Sequence, residues 1–392
     1  MKRFFLLGLT FIFIVFTSLV IGALLFGPKY VDGKINQTSP HSPFEVSDKA
    51  KKLHKDLLIG DWHADSTLWN RDLSNQYDYG HVDIPRLQKG NVALQMFTSV
   101  SKSPRGQNYN KNETSANDNI TSLVILQRWP IKTWSSLAER VIYQARKIRT
   151  LEQEDSQNFM LILSQSDLND FMQKRKSNSD LIGGLLGTEG SHALDGELQN
   201  IERLFDEGFR MMSLQHFFDN KLGGSLHGIS GSGLTKFGQE AIKEMLRLGI
   251  MIDVSHSSEN VVKDVLSLSD QPILVSHTGF NGYCPSSRNI SDSLMKEIAK
   301  KGGLVAVGFW DAAVCNNTPK SVAEAIQYGI KLIGAKHVAL GSDFDGAVRP
   351  GFDSSELVAI THELLEAGVE ESDIRLVMGE NMLNFLKNNL AN

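Results

Sequence analysis

Cysteine is almost missing from this chain. There are two in 392 residues, Cys284 and Cys315. Neither lies near the apolar N-terminal run, where a lipid could be attached. If the body is exported, the compartment permits a disulfide between them, with two free thiols a nearly equal reading of the residues alone. A basic surplus is also lacking. The formal net charge of -5 leaves no positive excess to neutralise phosphates, which argues against a nucleic-acid partner. No Gly-rich fingerprint follows the first strand candidate, and no clear A-x-A cleavage site follows the apolar run.

What is present begins with that run. Lys2 and Arg3 precede "FFLLGLTFIFIVFTSLVIGALLFG", Phe4 to Gly27, which carries no charge. A bilayer takes roughly 20 residues of helix to cross, so the run is long enough. It exceeds the core of about 7 to 15 residues usual in cleaved signal peptides, which favours a retained anchor over a signal. The two basic residues place the N-terminus in the cytoplasm and the rest of the chain outside it. Residues 1–27 are thus read as a signal-anchor or signal peptide, 28–47 as a polar linker, and 48–392 as one body.

In the body a short apolar run, a loop and an amphipathic stretch recur. Eight strand candidates result: 57–63, 92–100, 181–189, 209–216, 250–256, 272–277, 303–309 and 337–343. Continuous apolar strands interleaved with helices imply a parallel sheet covered on both faces. Helices are expected from periodicity, as in "GQEAIKEMLRLG", where Ala241, Ile242, Met245 and Leu248 share a face and Gly249 stops the helix. Eight βα units predict an α/β fold, a (β/α)8 TIM barrel of the metal-dependent hydrolase type behind the N-terminal helix. Residues 101–158 read as an insertion, a flexible loop followed by a helix with a basic exposed face.

Six of the strand candidates end in residues suited to metal or acid-base chemistry: His63 with Asp65, Glu189, His216, His256, His277 and Asp343. In a barrel these ends gather on one face, where barrel enzymes build their sites. A single strand-end histidine is ordinarily a hydrogen-bonded structural residue, and Asp343 beside Gly346 could be a turn former. The shared position at one end of each strand is what those separate readings leave unexplained. Histidine, aspartate and glutamate without cysteine form a nitrogen and oxygen ligand set, suited to Zn2+ in a catalytic site. Three histidines with one Asp and one Glu, five ligands in all, exceed the need of one zinc and suit two metals sharing a carboxylate.

The stretches "GDWHADS", "TEGSHAL", "SLQHFFDNKLGGS", "IDVSHSS", "VSHTG" with "CPSSRNI", and "HVALGSDFDG" resemble the membrane (renal) dipeptidase family of zinc dipeptidases among the amidohydrolase-like barrels. The resemblance implies that His63 and Asp65 bind one Zn2+, that His256 and His277 bind a second, and that Glu189 bridges the pair. It implies that His216 stabilises the oxyanion and Arg288 grips the substrate carboxylate. Asp343 would hold the amino group and shuttle the proton. The implied reaction is dipeptide hydrolysis by a metal-bridging hydroxide, with L-D dipeptides and β-lactam-like amides as further substrates. Lactam, lactone or ester hydrolysis is the enzymatic alternative, and a membrane-tethered binding protein without turnover is the other. Cys284 and Cys315 fall where the family has a disulfide; Phe218 stands where a second would need a cysteine. The chain ends in "NFLKNNLAN" without the hydrophobic tail that precedes a C-terminal lipid anchor, which points to a bacterial relative facing the periplasm or cell exterior. The expected partners are a dipeptide and the membrane, with a homodimer left open as the assembly state.

Overall fold

The computed structural model describes residues 2–391. Nine strands, all paired in parallel, follow in chain order: β1 (Ile59–Ala64), β2 (Val92–Val100), β3 (Phe159–Leu161), β4 (Ile182–Glu189), β5 (Phe209–Ser213), β6 (Met251–Asp253), β7 (Leu274–Thr278), β8 (Leu304–Val307) and β9 (Val338–Leu340). Eight of them close a barrel in the order β2-β1-β9-β8-β7-β6-β5-β4, with β4 returning to β2. This is the expected (β/α)8 barrel. The ninth strand, β3, was not among the eight candidates. It pairs with Ile182 to Gly184 of β4, and β5 takes up pairing from Leu186 onward, so the two share one edge of β4 in succession. Three residues flanked by polar chain carry too little periodicity to announce a strand.

Helices cover the outside because their apolar faces have nowhere else to go. Lys236–Leu248 buries Ala241, Ile242 and Met245, is capped by the Thr235 side chain, and ends at Gly249, whose φ of 72° suits a residue without Cβ. Inside the barrel Trp62, Leu94, Met96, Leu185, Met211, Met251, Leu274 and Leu304 form a second core. The C-terminal helix Asn381–Asn389 plugs its N-terminal end, with Phe385 edge-on to Trp62 at 5.6 Å. That leaves the opposite end for the polar residues.

Two expectations need correction. Residues 28–47, expected as a polar linker, begin as helix. The N-terminal helix runs Lys2–Ile35 through Pro28, and its end is docked: Asp32 accepts from Arg71 Nε at 3.0 Å and from Asn36 Nδ2 at 2.8 Å. The chain beyond it is also held, Ser39 N donating to Pro350 O at 2.8 Å. In residues 101–158 the expected helix is present, and the loop before it is held in place. That helix, Leu137–Glu154, packs on the barrel, and its buried Arg140 clamps the loop through Ser101 O, Asp118 and Thr121 at 2.7, 2.7 and 2.9 Å. The helix was expected to carry a basic exposed face; Arg146 is exposed, whereas Arg140 and Lys147 turn inward. Lys147 instead donates to Thr67 O and Trp69 O, both at 3.0 Å, and burial lowers it to about 7. Carbonyl acceptors, invisible in a hydropathy pattern, decide where these cations go.

Candidate active site

The C-terminal strand ends deliver the site, though fewer of the residues lie in strands than expected. Glu189 is the last residue of β4 and His277 lies inside β7. His63 lies near the end of β1, but that strand ends at Ala64, so Asp65 starts a short turn of 3-10 helix beyond it. His216, His256 and Asp343 each lie three residues past β5, β6 and β9. All are buried.

Glu189 is the centre. Its Oε1 lies 3.5 Å from His63 Nε2, 3.3 Å from His256 Nε2 and 3.6 Å from His277 Nε2, while Oε2 lies 3.3 Å from His216 Nε2. Ligand atoms of His63, Glu189, His277 and Asp343 fall within 4.8 Å of one another, as do those of Glu189, His216 and His256. Asp65 joins through His63, its Oδ1 3.7 Å from Nε2, and Thr98 Oγ1 donates to the same oxygen at 2.6 Å. Thus the structure gathers every expected site residue at one place. Distance alone groups Asp343 and His216 with the ligand candidates, because acids and imidazoles expected to touch substrate border the same few ångströms.

The supporting hydrogen bonds decide which ring nitrogens face the centre. Asp253 accepts from Ser276 Oγ and Ser255 Oγ, both at 2.6 Å. Ser276 has a single hydroxyl proton and gives it to Asp253, so toward His63 Nδ1 at 2.9 Å and His277 Nδ1 at 3.0 Å it acts as acceptor. Both rings then carry the proton on Nδ1 and turn Nε2 inward. His216 is oriented likewise, its Nδ1 donating to Lys102 O at 2.7 Å. Ligand histidines are commonly fixed in this way by the partner of the other nitrogen. The sequence reading missed Asp253 and Ser276; their only signal was the repeated Ser-His at two neighbouring strand ends. Asp61, which shares the first motif, accepts from Ser342 N at 2.8 Å, Ser342 Oγ at 2.6 Å and Gln95 Nε2 at 3.1 Å. Its carboxylate is occupied with holding the loop that carries Asp343.

The electrostatics point the same way. Burial opposes a charge on His63, but Glu189, Asp65 and Asp343 outweigh it and raise the imidazole to about 9. A field that favours a proton there would equally favour a metal cation. Burial, with Arg288 close by, keeps His256 and His277 well below the ordinary range, in the neutral form that binds metals. Asp343 is pushed up to about 8 by burial, with Glu189 adding to it. Three buried carboxylates, an inward His63 Nε2 without a hydrogen-bond partner, and a nitrogen and oxygen donor set fit divalent cations.

A small cavity of about 70 Å3 opens onto this cluster, lined among others by Tyr109, Ile120, His216, Phe217, Arg288 and Asp343. Arg288 is buried, donating through its Nη atoms to Ser255 O at 2.9 Å and His277 O at 2.8 Å, and its Nε has no partner. Cys284 and Cys315 are joined in a disulfide that closes the loop bearing Arg288. Tyr109 was missed; the lone aromatic in the polar stretch 101–118 was its only signal. It meets Trp310 Nε1 at 3.0 Å through its hydroxyl and His227 Nδ1 at 2.9 Å through its carbonyl.

Comparison with known proteins gives the same picture. The dipeptidase AclJ of Aspergillus oryzae is 28% identical over 86% of this chain and 81% of its own length. Among solved structures, the probable dipeptidase PvdM of Pseudomonas aeruginosa covers 87% of this chain and 97% of its own, at 18% identity and a TM-score of 0.71. A metallopeptidase of Rhodobacter sphaeroides, liganded with a phosphinate mimic of the dipeptide L-Ala-D-Ala, covers 85% and 99%, at 21% identity and a TM-score of 0.65. At these identities the solved structures establish the fold. The family model of the membrane dipeptidases, peptidase family M19, matches residues 47–392, and the chain belongs to that family of metal-dependent peptidases.

Proposed function

We propose that this dipeptidase uses two Zn2+ ions, one held by His63 and Asp65, the other by His256 and His277, with Glu189 bridging them. The observation that carries this reading is the central carboxylate, whose two oxygens reach four imidazole Nε2 atoms within 3.6 Å. Bound there, the ions would polarise a peptide carbonyl and supply an attacking water of lowered pKa.

The chain's own residues do the rest. Arg288 grips the C-terminal carboxylate of the dipeptide, a task suited to a planar cation that is already fixed by two carbonyls and has an unpaired Nε–H. Asp343 holds the free amino group and carries the proton from water to the leaving amine. His216, its ring fixed by Lys102 O, stabilises the oxyanion through Nε2, a contribution of roughly 3 to 4 kcal/mol for one well-placed donor. Clamping both ends sets the substrate length at two residues. The Rhodobacter sphaeroides neighbour bound to an L-Ala-D-Ala mimic supports acceptance of a D-residue at the C-terminal side.

The helix Lys2–Ile35 is long and apolar enough to cross a membrane, its uncharged run being Phe4 to Gly27. We read it as a retained anchor that holds the catalytic body outside the cytoplasm. Rates on an L-L dipeptide, the matching L-D dipeptide, the C-terminal amide and a tripeptide test the clamps. Both dipeptides should be hydrolysed and the other two should not; equal turnover of the amide or tripeptide would remove Arg288 and Asp343 from the roles assigned.

A further inference from the structure

Outside the N-terminal helix, five large apolar side chains are exposed among the described residues: Ile125, Ile131, Trp134, Ile229 and Leu268. Three of the five fall within ten residues, 125–134, with Ile131 74% and Trp134 37% exposed. The same ten residues, "ILQRWPIKTW", contain two exposed cations, Arg128 and Lys132, the second paired with Glu139 outside the stretch, and no acid.

Their place in the fold gives this patch a direction. The helix Asn119–Leu126 lies against the N-terminal helix. Val31 and Leu123 pack on one apolar cluster that includes Ile120. About one turn nearer the apolar run, Gly27 meets Leu126, where an added Cβ would lie 3.0 Å from its Cδ1. Moving from Val31 to Gly27 therefore matches moving from Leu123 to Leu126. The chain after Leu126 is carried toward the apolar run. The docking is rigid, since Asp32 bonds buried Arg71 at 3.0 Å and Arg71 reaches Asp345 at 2.7 Å. The helix end that makes it precedes the family match, which begins at residue 47.

We propose that Ile125, Ile131 and Trp134 rest in the headgroup region of the bilayer crossed by the N-terminal helix, with Arg128 facing anionic lipid. This rests on the anchored reading above. Tryptophan and basic residues are enriched at membrane interfaces, and an apolar surface beside an anchor is covered by lipid without a further partner. A consequence concerns the site. Ile120 lines the catalytic cavity and lies six residues from Leu126, about 9 Å of helix, so the cavity is held close to the membrane surface.

The test uses the single exposed tryptophan. Trp62, Trp69, Trp129 and Trp310 are buried, so the emission lost in Trp134→Phe reports on the patch alone. The full chain is reconstituted into vesicles of zwitterionic and anionic phospholipid brominated near the headgroup end of the acyl chains, with chain-end bromination as the depth control. The Trp134 emission should fall by at least half with shallow bromine and less with deep, as expected for a surface seated about 5 to 10 Å into the interface. Ile131→Asp should weaken the quenching while leaving dipeptide turnover in detergent unchanged. Unquenched Trp134 in a chain that resists carbonate extraction would overturn the proposal and leave the anchor intact. Unquenched Trp134 in a sedimenting dimer would assign the face to a second copy, which also overturns it. A chain fully extracted by carbonate would sink the anchor reading itself.

Discussion

Removing the disulfide should separate the stability of the Arg288 loop from its position. The bridge spans 31 residues of chain. Restricting a loop of that size in the unfolded state corresponds to about 12 cal/mol/K, or about 3.7 kcal/mol at 25 °C. With an unfolding entropy near 2.1 cal/mol/K per residue over the roughly 345 residues of the body, that is a fall in Tm of about 5 °C. The loop has other restraints. Asn289 Nδ2 donates to Cys284 O at 3.0 Å and Ala313 O at 2.9 Å, its Oδ1 accepts from Gly279 N at 2.8 Å, and the Arg288 fork is bonded to two carbonyls. The double variant Cys284→Ala/Cys315→Ala should therefore lose several degrees of Tm by calorimetry in detergent while its KM for dipeptides below the transition stays within about threefold of wild type, less than one lost hydrogen bond would cause. An unchanged Tm would refute the entropic reasoning. A KM raised as far as in Arg288→Ala would show that the bridge, and not Asn289, positions the arginine.

Arg288→Ala should raise KM for dipeptides roughly ten- to a hundredfold, from about 1.5 to 3 kcal/mol for a charge-assisted bond, and Arg288→Lys should restore little of it; steady-state kinetics would show otherwise as an unchanged kcat/KM. His54 is buried between Thr361 Oγ1 at 2.8 Å and Gly90 O at 3.0 Å, and burial lowers it from 6.5 to about 4. Below pH 6.5 the unfolded chain takes up a proton that the folded chain refuses, so stability falls from 6.5 and levels off below 4, by roughly 3 kcal/mol. Urea midpoints should track this fall in the wild type and change less in His54→Gln; parallel curves would discount His54. Asp32→Ala leaves buried Arg71 with Asp345 alone and should cost about 3 kcal/mol, at the low end for a broken buried pair. Thermal unfolding that matches wild type would mean the helix end is not docked as described.

Much of this was legible in the sequence because both signals are local. Strands of a parallel barrel are apolar on both faces, so "VALQMFTSV" stands out without a partner, and an acid or imidazole at such a strand's end breaks the pattern visibly. What was not legible depends on distant groups. Nothing near Asp253 or Ser276 in the chain shows that one serine hydroxyl serves two histidines. Arg140 and Lys147 follow the same helical period as solvated cations, and only the carbonyls of Ser101, Thr67 and Trp69 distinguish them. The docked stretch 28–47 was read as a linker because its polar composition is shared by free chain and by chain held through side-chain bonds.

By the proposed mechanism, Glu189 bridges two metal ions that dipeptide hydrolysis requires. That mechanism is tested most directly by metal analysis of the purified full chain, paired with turnover of one dipeptide. About two zinc ions per chain are expected, with loss of turnover on their removal by chelator and its return with zinc. Full turnover from protein shown to hold no metal, or to hold a single ion, would contradict the mechanism.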